Sequence, residues 1–130
     1  MKTTFKLVAF LLTITLLSCN ANLNLNDGVE GSGNVITEKR TINESFDKIS
    51  ASTGVTVIVE QGSPNDVEVE TDDNLMQYVI TKVENGTLIV KIDGNINTMS
   101  SIDVRVRMSS IVGLESTSGS RITSKNTLKG

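Results

Sequence analysis

An all-β fold of short stacked strands is what this sequence predicts, on three observations. From Val35 onward, apolar and polar residues alternate with a period of two, the mark of strands buried on one face. An Asn85-Gly86 pair sits between two such runs and suits a two-residue hairpin turn. Two stretches match each other at an offset of 65 residues, and repeats of this kind mark solenoids.

Residues 1–18 read as an export signal. Lys2 and Lys6 precede an apolar run from Leu7 to Leu17, shorter than the roughly 20 apolar residues a membrane-spanning helix needs. Leu16-Leu17-Ser18-Cys19 resembles the lipobox of bacterial lipoproteins. The resemblance implies cleavage before Cys19, acylation of its sulfur and acylation of its new amino group. Each buried methylene contributes about 0.8 kcal/mol, so several chains on one residue would anchor firmly where a single chain holds marginally. The membrane, through lipid on Cys19, is therefore an expected partner. The alternative is an ordinary signal that leaves a free thiol, and Cys19 is the only cysteine in the chain.

Residues 19–34 read as the lipidated cysteine and a flexible tether. Asn20, Asn22, Asn24 and Asn26 alternate with small or aliphatic residues, and Gly28, Gly31 and Gly33 follow, a composition suited to a spacer. Asn20 rather than Asp follows the cysteine. Within the lipoprotein resemblance this favours the outer membrane, and the lack of an acidic cluster after Cys19 favours its periplasmic face.

Composition narrows the function. Without its signal the chain carries 10 basic and 15 acidic side chains, a formal charge of −5, which argues against nucleic acid as a partner. There is no His and no Trp, and Phe46 and Tyr78 are the only aromatics after the signal. A stacking platform for sugars or bases is hard to build from these. The commonest general base and metal ligand is missing as well.

The strands follow in order over residues 35–130. Val55, Val57 and Val59 alternate with Thr56, Ile58 and Glu60. After the turn Gly62-Ser63-Pro64-Asn65, Val67 and Val69 alternate with Glu68 and Glu70. Asp72 or Asp73 is placed to cap a short helix near 73–78, whose Leu75, Met76 and Tyr78 would plug one end of the core. The hairpin register follows by counting outward from Asn85-Gly86: Val83 faces Leu88, Thr81 faces Val90, and Val79 faces Ile92. Ile102, Val104, Val106 and Met108 then alternate with Asp103, Arg105 and Arg107.

The repeat sets Phe46-x-x-Ile49-x-Ala51-Ser52-Thr53-Gly54-Val55 against Ile111-x-x-Leu114-x-Ser116-Thr117-Ser118-Gly119-Ser120, and Ser32-Gly33-Asn34-Val35 echoes Ser118-Gly119-Ser120-Arg121. Each unit would be a strand, a tight glycine corner and another strand, stacked on its neighbour. Gly31-Ser32-Gly33-Asn34-Val35, the run Phe46 to Val57, and Val83-Glu84-Asn85-Gly86-Thr87-Leu88 together resemble the head-GIN domain family, found in Bacteroidetes lipoproteins and labelled for auto-transporter adhesins. The resemblance covers roughly residues 31–130. It implies a right-handed, parallel β-helix-like solenoid with hairpin insertions, and it supplies no catalytic residues. Family members usually continue through further rungs, so an incomplete C-terminus is expected.

Candidate chemistry is sparse. Asp72 and Asp73, with Asp66 or Glu70, are carboxylates of the kind calcium takes, but no loop of alternating oxygen ligands surrounds them, and capping accounts for them better. Glu60, Glu68 and Glu70 are outward strand positions that suggest a solvated acidic face more than a glycosidase pair. Gly31-Ser32-Gly33 lacks the Lys-Ser/Thr of a phosphate loop. Asn43 and Asn85 lie in glycosylation-like patterns that read as turns. Arg105 and Arg107, with Lys82 and Lys91, would form a basic strip. No metal site, cofactor or catalytic residue is expected. The sequence therefore predicts a lipid-anchored, non-enzymatic envelope module that binds a protein or polysaccharide. A polysaccharide hydrolase or lyase, or a purely structural component, is the alternative.

Overall fold

The computed structural model describes residues 28–97 and 101–129; the expected signal and Cys19 lie outside the described residues. The fold is all-β. Its strands are β1 (Val35–Arg40), β2 (Lys48–Ala51), β3 (Thr56–Gln61), β4 (Asp66–Asp72), β5 (Val79–Glu84), β6 (Thr87–Ile92), β7 (Asp103–Met108), β8 (Gly113–Ser116) and β9 (Arg121–Ser124). They form two open, mixed sheets, ordered β1-β4-β7-β3-β9 and β5-β6-β2-β8.

The period-two pattern turns one side chain in two into a single core cluster. Ile49, Ala51, Val79, Leu88 and Val90 come from the four-stranded sheet; Val57, Val59, Val67, Val69, Val104, Val106 and Met108 come from the five-stranded one. Each fully buried aliphatic side chain contributes about 1.5–3 kcal/mol. With no disulfide expected, this burial and the backbone ladders carry the fold. Asn85 and Gly86 both take positive φ, 51° and 74°, as a type I′ turn requires. The hairpin pairs Val83 with Leu88, Thr81 with Val90 and Val79 with Ile92, the register counted from the turn.

The 65-residue repeat is a stacking relation. Lys48 to Ala51 of β2 pair in parallel with Gly113 to Ser116 of β8, and Thr56 to Val59 of β3 pair with Arg121 to Ser124 of β9. Each residue lies beside its sequence counterpart. The corners also match: Thr53-Gly54 has φ of 59° and 78°, Ser118-Gly119 has 52° and 76°, and the Gly54 N–H donates to Ser118 O at 3.1 Å. A side-chain clamp extends the ladder, with Gln61 N–H donating to Asn126 Oδ1 and Asn126 Nδ2 donating to Gln61 O, both at 3.0 Å.

The order along the stack differs from the order along the chain. A β-helix climbs in chain order, whereas here β2–β3 is central, with β6 and β7 on one side and β8 and β9 on the other. The β1 echo of the repeat does not stack as a rung, because β1 is an antiparallel edge strand on β4.

The short helix expected near 73–78 is a single 3₁₀ turn, Met76–Tyr78, without a side-chain cap. The Asp73 carboxylate is engaged elsewhere: it accepts from Ser32 Oγ, Asn34 Nδ2 (3.1 Å) and Asn74 N–H (2.7 Å). Leu75 and Met76 are buried and Tyr78 is half-buried. The Arg40 guanidinium closes the turn by donating to Met76 O and Val79 O.

Residues 28–34, the described end of the expected tether, lie along the domain. Val29 N–H donates to Asn95 O and accepts through its carbonyl from Asn97 N–H. Ser32 N–H donates to Asn74 Oδ1, and Asn74 Nδ2 returns a bond to Glu30 O. This strap contacts Asp72, Asp73 and Asn74 next to β1, so it enters at the opposite end of the stack from β8 and β9.

Candidate functional site, a charged sheet face

The residues alternating with the buried valines project from the outer face of the five-stranded sheet. Register then fixes their neighbours. Asp66 on β4 pairs with Arg107 on β7, which pairs with Glu60 on β3. One step along, Glu68 pairs with Arg105, which pairs with Ile58, which pairs with Thr123. A further step gives Glu70, Asp103, Thr56 and Arg121. In the first two rows acidic and basic groups thus sit side by side, while the third sets Glu70 beside Asp103; Lys125, just past β9, continues the first row because its N–H donates to Val59 O beside Glu60.

Arg105 Nη1 lies 3.2 Å from Glu70 Oε2 and 3.7 Å from Glu68 Oε1. Its guanidinium is held above its ordinary pKa, first by the hydrogen bond to Glu70 and then by the charges of Glu70, Glu68 and Asp103, against a desolvation that acts the other way. Arg107 Nη2 lies 3.6 Å from Glu60 Oε2, and Lys39 Nζ lies 3.8 Å from Asp66 Oδ2. Between these side chains runs a shallow groove of about 410 Å³, lined by Ile58, Glu60, Asp66, Glu68, Arg105 and Arg107, with Lys125 at its rim.

These pairs are half-exposed, and such pairs contribute about 0–1 kcal/mol each. They do little for stability, so an incoming polar ligand can exchange partners with them at small cost. The groove presents guanidinium donors and carboxylate acceptors within reach of one another. Along the groove, carboxylates and arginines share one sheet face, and beside it the Thr37 hydroxyl donates to Glu70.

The other residues singled out from sequence lie elsewhere. Asp66 and Asp72 stand at opposite ends of β4. Asp72 accepts from Gly33 N–H, while Asp73 is held by the strap. Among the described residues, no group of three acidic, His or Cys side chains is placed to hold a metal ion. Lys82 and Lys91 do not extend the basic strip: they belong to the four-stranded sheet, where Lys82 pairs with Glu84 at 2.9 Å. Sequence reading missed Asp66, Ile58 and Lys125 as groove residues. Lys125 was within reach, since it stands 65 residues after Glu60.

The chain matches a family model described as "Putative auto-transporter adhesin, head GIN domain" over residues 45–130. No curated protein matches it. Among solved structures it is similar to a "putative adhesin" from Parabacteroides merdae ATCC 43184, at 24% identity and a TM-score of 0.67, covering 76% of this chain and 42% of that one. A "putative adhesin" from Bacteroides fragilis NCTC 9343 gives 19% identity and 0.67, covering 76% and 47%. A "Putative lipid binding protein" from Parabacteroides distasonis ATCC 8503 gives 20% and 0.64, covering 74% and 43%. The chain spans less than half the length of these structures, and at such identities the likeness is one of fold. Among the described residues no helix is long and apolar enough to cross a membrane.

Proposed function

The chain belongs to the head GIN domain family, and from that premise we propose that it is a non-enzymatic binding module of the cell envelope. Its ligand is a polar, hydroxyl-rich polymer such as an envelope polysaccharide, held along the charged face of the five-stranded sheet. One observation carries this reading: the groove in which Arg105 and Arg107 alternate with Glu60, Asp66 and Glu68. Neighbouring hydroxyls can accept from a guanidinium and donate to the next carboxylate, and charge-assisted bonds of this kind are about twice as strong as neutral ones. The groove lies across β4, β7 and β3 on the exposed sheet face, where a polymer can lie in it. The adhesin names of the structural neighbours agree with binding rather than turnover. The lipid-binding name of one neighbour fits less well, because charged walls do not suit an acyl chain.

In this reading Cys19 carries the lipid and holds the module on the periplasmic face of the outer membrane. The β8–β9 unit, in register on β2–β3, is a solenoid-type step presented away from the strap. The test is titration of purified envelope polysaccharides onto the full chain and onto Arg105→Ala/Arg107→Ala. Saturable binding that weakens with salt and is lost in the double variant supports the proposal. Binding by none of the polymers, or equal binding by both proteins, refutes it. Cys19→Ser should move the protein from the membrane to the soluble fraction or block its processing; retention at the mature mass contradicts the anchor.

A further inference from the structure

We propose that the groove recognises two adjacent hydroxyls of a sugar ring, and that its anchoring subsite is the Arg105–Glu68 pair, held open from outside the groove by Glu70 and Thr37. This deepens the reading of the charged face as a polysaccharide site and rests on it.

Two donor–acceptor pairs lie in the groove. Arg105 Nη1 stands 3.7 Å from Glu68 Oε1, and Arg107 Nη2 stands 3.6 Å from Glu60 Oε2. Both separations exceed a hydrogen bond, so in each pair a guanidinium N–H and a carboxylate oxygen face each other with the bond between them unmade. One hydroxyl that accepts from the guanidinium, and its neighbour on the ring that donates to the carboxylate, supply both bonds. A lone hydroxyl bridging the same gap would have to bend its donor and acceptor directions to an acute angle, which weakens both.

The two pairs differ in what holds the arginine. Nη1 carries two N–H groups. Arg105 Nη1 donates to Glu70 Oε2 at 3.2 Å, and Thr37 Oγ1 donates to that same oxygen at 3.4 Å. The second N–H is left for the sugar. Glu70 stands two residues past Glu68 on β4, opposite Asp103, and it is not one of the groove walls. It therefore draws the guanidinium away from Glu68 without occupying the site. Arg107, by contrast, is paired with Glu60, which is itself a wall. A sugar that engages Glu60 loosens Arg107, whereas one that engages Glu68 leaves Arg105 where it was. The Arg105 subsite is the pre-organised one, and pre-organisation is what turns contacts into affinity. Without Glu70, Arg105 would turn to Glu68 and close the pair, and the hydroxyls would first have to break it. Glu70 is in this sense a positioning residue.

The experiment titrates a delipidated envelope polysaccharide fraction onto the full chain. The same fraction is also titrated after periodate, which cleaves the carbon–carbon bond between adjacent hydroxyls, followed by borohydride reduction of the aldehydes. Binding of the native fraction should be saturable, and binding of the oxidised fraction at least tenfold weaker. Glu70→Gln should weaken binding of the native fraction roughly fivefold, the worth of one hydrogen bond, with its urea midpoint unchanged. Thr37→Val should weaken it less, and Glu84→Gln on the four-stranded sheet not at all. In NMR spectra without polymer, the Arg105 Nη protons should rotate slowly in the parent and freely in Glu70→Gln. Equal binding of native and oxidised polymer, or a Glu70→Gln variant that binds as tightly as the parent, overturns the proposal while Arg105→Ala/Arg107→Ala still tests the charged face. Failure of the full chain to bind the native fraction overturns both.

Discussion

The β2–β3 and β8–β9 units are two versions of one sequence pattern with opposite fates. Ile49 on β2 is 1% exposed, and its counterpart Leu114 on β8 is 40% exposed. The strands, corners and backbone angles are alike; what differs is that, among the described residues, β2–β3 has neighbours on both sides and β8–β9 on one. The pattern therefore specifies a rung, while the place of the rung in the stack specifies how much energy it contributes.

The largest expected effect breaks this comparison at its strongest point. Ile49→Ala should cost about 2–5 kcal/mol, as buried large-to-small changes do. Leu114→Ala should stay within about 0.5 kcal/mol, as at other exposed sites. Urea denaturation of both variants measures the difference, and equal losses would show that the two units are buried alike. A smaller effect should be shared rather than divided. Gly54→Ala and Gly119→Ala each place a methyl group in open space but at φ near +77°, so each should cost about 1–2 kcal/mol through backbone strain alone. A loss at Gly54 only would show that the Ser118-Gly119 corner does not hold its shape.

On the charged face, Arg105→Ala should change stability by under about 1 kcal/mol while weakening polymer binding, which separates site from scaffold. The weakest expected effect lies in the strap. Asp73 is held below its ordinary pKa of 3.8, first by Ser32 and then by Asn34, with desolvation opposing. A carboxyl whose native pKa is lowered stabilises the fold above 3.8, and that contribution is lost as pH falls through the lower native value. Ser32→Ala should return the Asp73 carboxyl toward 3.8 in an NMR titration; an unmoved value would discount that contact.

Local features were legible from sequence wherever a short-range rule fixed them. Asn85-Gly86 set a turn type, and the turn set the register of β5 and β6. The offset of 65 survived because β2–β3 and β8–β9 are joined by corners of equal length, residues 52–55 and 117–120. The third layer was hidden for the same reason. Residues 93–102 separate β6 from β7, so β6 pairs with β2 at an offset of 39 and β7 with β3 at 47, and no single repeat length appears. Stacking order was not readable, since the alternation of Val57 or Val104 names an inner face and not a neighbour. For the site, the outward residues of each strand were readable but their cross-strand partners were not. Arg105 and Arg107 were therefore grouped with Lys82 and Lys91 in place of Glu60 and Glu68. The expected short helix is present only as the 3₁₀ turn Met76–Tyr78, and Asp73 serves the strap, a contact 41 residues distant in sequence, in place of capping it.

The most direct test of the residue-for-residue stacking is a pair of engineered disulfides in the Cys19→Ser chain. Ser50 and Glu115 are register partners, and neighbouring strands lie about 4.8 Å apart, inside the range a disulfide spans. Ser50→Cys/Glu115→Cys should oxidise within one chain, while Ser50→Cys/Thr117→Cys should remain reduced. Efficient bridging of the second pair, with none of the first, would contradict the stacking on which the fold and its charged face are built.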